Sequence, residues 1–154
     1  SDSMPTDKLN EIPSDVLMLL VVGDNDQFAK TRQTKPIWDR TSQIQNRRYV
    51  VLQSDAHGTP PLIADHAAPL SPRPDIGEPI TASKQRRRGL IEAFTGMREG
   101  EIDALDYLGF WRLFDLLADA AFSGNKIDAV VSSPGMGKWS DGAEVKPLMV
   151  PASP

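Results

Sequence analysis

The spacing of apolar positions changes rhythm several times along the chain. Seven consecutive apolar residues, 16–22, stand in "DVLMLLVVGDND" and run straight into Gly23, Asp24 and Asp26. An unbroken run of this kind predicts a parallel strand covered on both faces, because a strand with one wet face would alternate. "TKPIWDRTSQI" then predicts a helix with Thr34 as N-cap, Pro36 in the first turn and an inward stripe of Ile37, Trp38, Thr41 and Ile44. A second strand follows in "RRYVVLQSD", its core at residues 49–52. Strand, helix and strand within residues 13–66 make a βαβ unit.

Beyond residue 66 the texture changes. Pro69, Pro72, Pro74 and Pro79 interrupt "HAAPLSPRPDIGEP", so residues 67–100 are expected to hold a proline-rich insertion and one short helix at about 82–94, with Arg86, Arg87 and Arg88 on its polar side. The strongest helical signal spans residues 101–122. There Phe110, Leu113, Phe114, Leu117 and Ala121 form the expected apolar face, and Arg112, Asp115 and Asp119 the wet one. Tyr107, Phe110, Trp111 and Phe114 are read chiefly as core at helical spacing. Gly124 suits the C-cap. In "GKWSDGAEVKPLMV" a turn at Asp141 and Gly142 separates two short extended pieces. The pattern as a whole predicts one α/β domain over 1–154, with 101–154 as last helix and tail.

Composition narrows the functions. The net charge of −4 gives no global attraction to nucleic acid or an anionic surface, and "KQRRR" at 84–88 reads as a solvated helix face. The absence of cysteine excludes disulfides and thiolate chemistry and leaves the compartment open. No apolar run approaches the roughly 20 residues of a membrane span. No cofactor motif is present, and none is expected.

The chemistry concentrates where the strands end. Ligands of open parallel sheets bind beyond the carboxyl ends of the strands. The first strand leads to Asp24 and Asp26, the second to Asp55 and His57. Asp26 and His57 are therefore expected to lie within about 3 Å of each other, or within one side-chain rotation of that distance, as an acid–imidazole pair, the imidazole serving as general base. Asp24 is the alternate acid and His66 the alternate histidine; Asp55 reads as a loop-shaping residue. Asp24, Asp26, Asp55, His57, Asp65 and His66 offer oxygen and nitrogen donors, but no tight ligand spacing marks a metal site.

The strand, Gly-x-x-Asp, helix, strand and histidine loop of "VLMLLVVGDND", "TKPIWDRTSQI" and "RRYVVLQSDAHG" resemble the C-terminal half of an α/β-hydrolase. That resemblance implies that the domain over 1–154 is partial: a mostly parallel sheet flanked by helices, with the proline-rich insertion before the last long helix, which is its closing one. It places the triad acid at Asp26 and the histidine at His57, and implies a carboxylic-ester substrate of small-molecule size. These residues hold no Gly-x-Ser-x-Gly. The nearest approach, "GKWSDG", has the wrong spacing, and its Ser140 follows the histidine. The implied nucleophile must then come from an upstream half of the same protein or from another chain; the alternative is a hydrolase-like binding or structural protein without catalysis.

Overall fold

A computed structural model describes residues 8–69, 102–127, 131 and 135–154. The proline-rich stretch beyond residue 69 and the short helix expected at 82–94 lie outside the described residues. The fold is α/β: a small parallel sheet between helical layers.

Strand β1 (Met18–Gly23) pairs in parallel with β2 (Arg47–Leu52), with Met18 opposite Arg47 and Gly23 opposite Leu52. Successive strand side chains point to opposite faces, and both faces find helical cover. Leu20, Val22, Tyr49 and Val51 cluster with Ala29 and Trp38 of the first helical layer. On the other face Leu19, Val21 and Val50 pack with Leu113, Leu116, Leu117 and Ala120 of the second. A third cluster joins Leu52 to Leu62, Ala64, Leu105, Met136 and Val145. The two strands are unequally buried: residues 49–52 are buried, whereas Met18, Leu19, Leu20 and Val21 are only half-buried. The far edge of β2 takes up the tail, Val51 and Met149 exchanging N–H···O bonds of 2.9 and 3.0 Å. Among the described residues, no strand pairs with the far edge of β1.

The first helical layer starts earlier than its sequence signals suggest. A helical run begins at residue 27, passes through a π-helical segment (Ala29–Thr34) and ends as helix α1 (Lys35–Arg40). Thr34 is therefore not an N-cap. It lies inside the helix, and its hydroxyl donates back to the carbonyls of Ala29 and Lys30 at 3.1 and 3.0 Å. The expected stripe remains buried at its end: Thr41 and Ile44 are sealed although the helix stops at Arg40. Arg47 fastens this corner. Its guanidinium lies 4.1 Å from the centre of the Trp38 ring and donates to the Trp38 carbonyl and to Thr41 Oγ1.

The last helix begins with a π-helical segment (Leu105–Trp111) and continues as α2 (Arg112–Ser123). Gly124 caps it at φ 69°, in the left-handed region. Its inward stripe is Leu105, Gly109, Leu113 and Ala120; Phe114 and Ala121, expected inside, are exposed. Two physical causes combine. A π turn closes i→i+5 bonds and so shifts the inward phase relative to an α pattern. Gly109, which carries no hydrophobic signal, is the residue that faces the sheet, and a Cβ there would sit 2.4 Å from Leu52 Cδ2. Tyr107, Trp111 and Phe114 consequently face outward, while Phe110 packs on the core around Leu52. Arg112, expected on the wet face, is half-buried and donates to the Gly135 carbonyl at 3.0 Å.

Candidate functional site

The end of β1 turns sharply, the Asp26 N–H donating to the Gly23 carbonyl at 3.2 Å. Asp26 then caps the helical run: its Oδ1 accepts the Ala29 N–H at 2.8 Å, the three-residue reach of an N-cap carboxylate. Its other oxygen has a different partner. Oδ2 lies 2.8 Å from Nδ1 of His66. The carboxylate is buried, with 7% of the side chain accessible, whereas the His66 side chain is 36% accessible. Both oxygens of a buried carboxylate are thus satisfied, which desolvation requires.

A carboxylate only accepts, so for a neutral ring beside the ionised acid this contact puts the proton on Nδ1 and leaves the lone pair on Nε2. This is the tautomer that a general base needs. Phe28 fixes the ring from the side, its centroid 5.4 Å away in an edge-on arrangement at 76°. Tyr49 lies buried in the same region. Burial pushes its phenol pKa up and the nearby Asp26 charge adds to this, against a bond with Thr34.

The expected pairing of Asp26 with His57 is replaced by a different one. Asp26 bonds His66, the alternate histidine, and His57 bonds Asp141, its Nε2 lying 2.7 Å from Oδ2. The loop between the two histidines explains the exchange. Asp55 and Leu62 form an antiparallel bridge, each donating to the other at 2.9 Å, so the chain leaves the β2 tip and folds back. His57 sits on the outgoing limb. His66 follows the returning limb, which lies across the end of β1: the Asn25 N–H donates to the Ala64 carbonyl at 3.0 Å.

Asp24, the alternate acid, does not meet either ring among its described bonds. It accepts the Ser54 hydroxyl at 2.5 Å, and its own N–H donates to the Leu52 carbonyl at 2.8 Å. Asp65 accepts the Ala67 N–H at 2.9 Å and shapes the turn that carries His66. No three histidine or acidic side chains among the described residues converge as a metal site would require.

Asp55 and His57 instead clamp the tail. Asp55 is buried; its Oδ1 accepts the His57 N–H, and its Oδ2 accepts the Trp139 indole N–H and the Lys146 N–H. Burial alone would raise the Asp55 pKa, but the Lys146 and His57 backbone donors, the Trp139 indole and the Lys146 charge together hold it below its usual range. The 138–144 turn expected at Asp141 and Gly142 is present, closed by Trp139 N–H to Ala143 O at 2.8 Å with Gly142 at φ 89°.

The His57–Asp141 contact sets a pH window. Its hydrogen bond and then its charge raise the His57 pKa above 6.5. The same bond with His57 lowers the Asp141 pKa below 3.8, helped by the Ala143 N–H. A raised histidine pKa stabilises the fold below the unfolded value and fades as pH rises through the folded one; a lowered carboxyl pKa does the reverse. The contact is therefore fullest between about pH 4 and 6.5 and weakens on either side. Proton NMR titration should place the His57 midpoint above 6.5, falling back towards 6.5 in Asp141→Asn. A midpoint unmoved by that substitution would show that the clamp does not form in solution.

No family model, curated protein or solved structure matches this chain.

Proposed function

We propose that this chain is the acid-and-histidine portion of an α/β-hydrolase-type serine hydrolase acting on carboxylic esters, with Asp26 and His66 as its acid and base. The observation that carries this reading is the Asp26–His66 pair beyond the carboxyl ends of two parallel strands. A buried carboxylate there fixes an accessible imidazole with its Nε2 lone pair directed outward from the pair. In such a role Nε2 takes the proton of a serine hydroxyl as it attacks the ester carbonyl, and returns it to the leaving alcohol. Asp26 orients the ring and stabilises the imidazolium that forms.

The serine and the oxyanion donors come from polypeptide outside these residues, either upstream in the same protein or from another chain. The half-buried side chains at residues 18–21 and the edge of β1 support this, since added strands would cover both. The test is labelling of the intact gene product by a serine-directed fluorophosphonate. Labelling is expected in the wild type and lost in His66→Ala; an unlabelled wild type, beside a control esterase that labels, refutes the reading.

A second reading is a hydrolase-like binding protein without catalysis. The outward face of the last helix favours it: Tyr107, Trp111, Phe114 and Phe122 are 58%, 40%, 69% and 93% exposed. Unlabelled protein that retains a stable fold would leave this as the better account.

A further inference from the structure

We propose that Ser54 is a positioning residue for the Asp26–His66 pair, acting with Asp24 through the backbone of Ala64. Its bearing on turnover rests on the hydrolase reading above; its bearing on the imidazole does not.

Ser54 stands just beyond the end of β2 and carries the hydroxyl that joins three segments. The hydroxyl donates to Asp24 Oδ1 at 2.5 Å and accepts the Ala64 N–H at 3.0 Å. Ala64 is fully buried, and its carbonyl accepts the Asn25 N–H at 3.0 Å. Both backbone groups of Ala64 are thereby used, one on the tip of each strand. Asp24 lies two residues before Asp26, and Ala64 two residues before His66. The connection therefore bears on the separation of acid and base through the two short stretches that carry them.

The chemistry of the link is directional. Asp24 as a carboxylate only accepts, and the Ala64 N–H only donates. The Ser54 hydroxyl, which both donates and accepts, completes the chain from amide to hydroxyl to carboxylate. Each bond polarises the next. The Ser54 proton is directed to a carboxylate and not to an imidazole, which sets this hydroxyl apart from a nucleophile. Without it, a buried Ala64 N–H loses its acceptor, and Ala64 keeps only the Asn25 bond of its two to the strand tips. The His66 ring then has freedom to leave the Asp26 oxygen, and the tautomer preference weakens.

The experiment uses the intact protein with nitrogen-15-labelled histidine, read by long-range proton–nitrogen spectra that report which His66 nitrogen is protonated. The wild type is expected to show the proton on Nδ1. Ser54→Ala is expected to show a mixture of the two tautomers, and Ser54→Thr, which keeps the hydroxyl, the wild-type pattern. With an ester substrate, Ser54→Ala is expected to lower kcat roughly ten- to a hundredfold, as for a modest displacement of a catalytic group, with KM changed less than about threefold. Should Ser54→Ala fail to fold, Asp24→Ala leaves the Ser54–Ala64 bond in place and is read in the same way. A folded Ser54→Ala or Asp24→Ala variant whose His66 spectrum matches the wild type overturns the proposal, as does a Ser54→Thr variant that fails to restore it. If the intact wild type resists fluorophosphonate, the hydrolase reading falls alone, because the tautomer measurement still judges the positioning.

Discussion

Asp26→Asn in the intact protein is expected to lower ester turnover by roughly three to four orders of magnitude with little loss of stability. The substitution separates the two tasks of this side chain. The asparagine oxygen still accepts the Ala29 N–H, and asparagine caps helices about as well as aspartate, so the helical run keeps its start. The amide nitrogen must then face His66 Nδ1. As a donor it favours the tautomer with the proton on Nε2, which removes the lone pair from the working nitrogen. Asp26→Ala removes cap and partner together and adds a stability loss of about 1 kcal/mol from the cap. His66→Ala is expected to match Asp26→Asn in turnover, and His57→Ala to stay within a few-fold of wild type, since His57 belongs to the tail clamp. Turnover of a p-nitrophenyl ester beside urea unfolding measures both effects. Should His57→Ala abolish activity and His66→Ala spare it, the base would be the histidine nearest the strand end in sequence, and the Asp26–His66 geometry would have no catalytic meaning.

That choice between histidines marks the limit of what the sequence carries. The strands are legible because unbroken apolar runs leave few alternatives, and so is the placing of Asp26 at the tip of β1, where it caps the next helical run and meets an imidazole. The ring that meets Asp26 is not, because proximity along the chain is not proximity in space. His57 follows β2 by a few residues, yet the Asp55–Leu62 bridge sends that limb towards Trp139 and Asp141 and brings the later histidine back over β1. The useful signals were small residues: Ala64 and Gly23, which allow one backbone to lie against another, and Ser54, which ties them. Hydrophobic periodicity is blind to such residues. It fails for the same reason at Gly109, where the helix approaches Leu52 through a missing side chain, so that periodicity points inward to Phe114 in place of the glycine side.

Gly23→Ala is expected to destabilise the protein by about 3 kcal/mol, the upper part of the usual range for overpacking, and to dismantle the site with it. The cause is space and not dihedral preference, since Gly23 is not among the positive-φ glycines. A Cβ at Gly23 would lie 1.9 Å from the Ala64 carbonyl oxygen and 2.4 Å from its carbon. Both are backbone atoms, so no rotamer change relieves the overlap; β1 or the returning limb must move. The limb is held by the Asn25 N–H on one side and by the Ser54 hydroxyl on the other, so movement breaks at least one bond to a buried residue. The displacement reaches His66 two residues later, and the 2.8 Å bond to Asp26 is the next to lengthen. A loss of this size lowers the melting temperature by roughly 6–12 °C for a domain of this length. Gly135→Ala is the control, because a Cβ there meets nothing within 4 Å, and it is expected to change stability by less than about 0.5 kcal/mol. Hydrogen exchange at the Asn25 amide reports the limb directly: protected in the wild type and in Gly135→Ala, fast in Gly23→Ala. A Gly23→Ala protein as stable as wild type, with that amide still protected, would mean that the His66 limb does not lie against the end of β1.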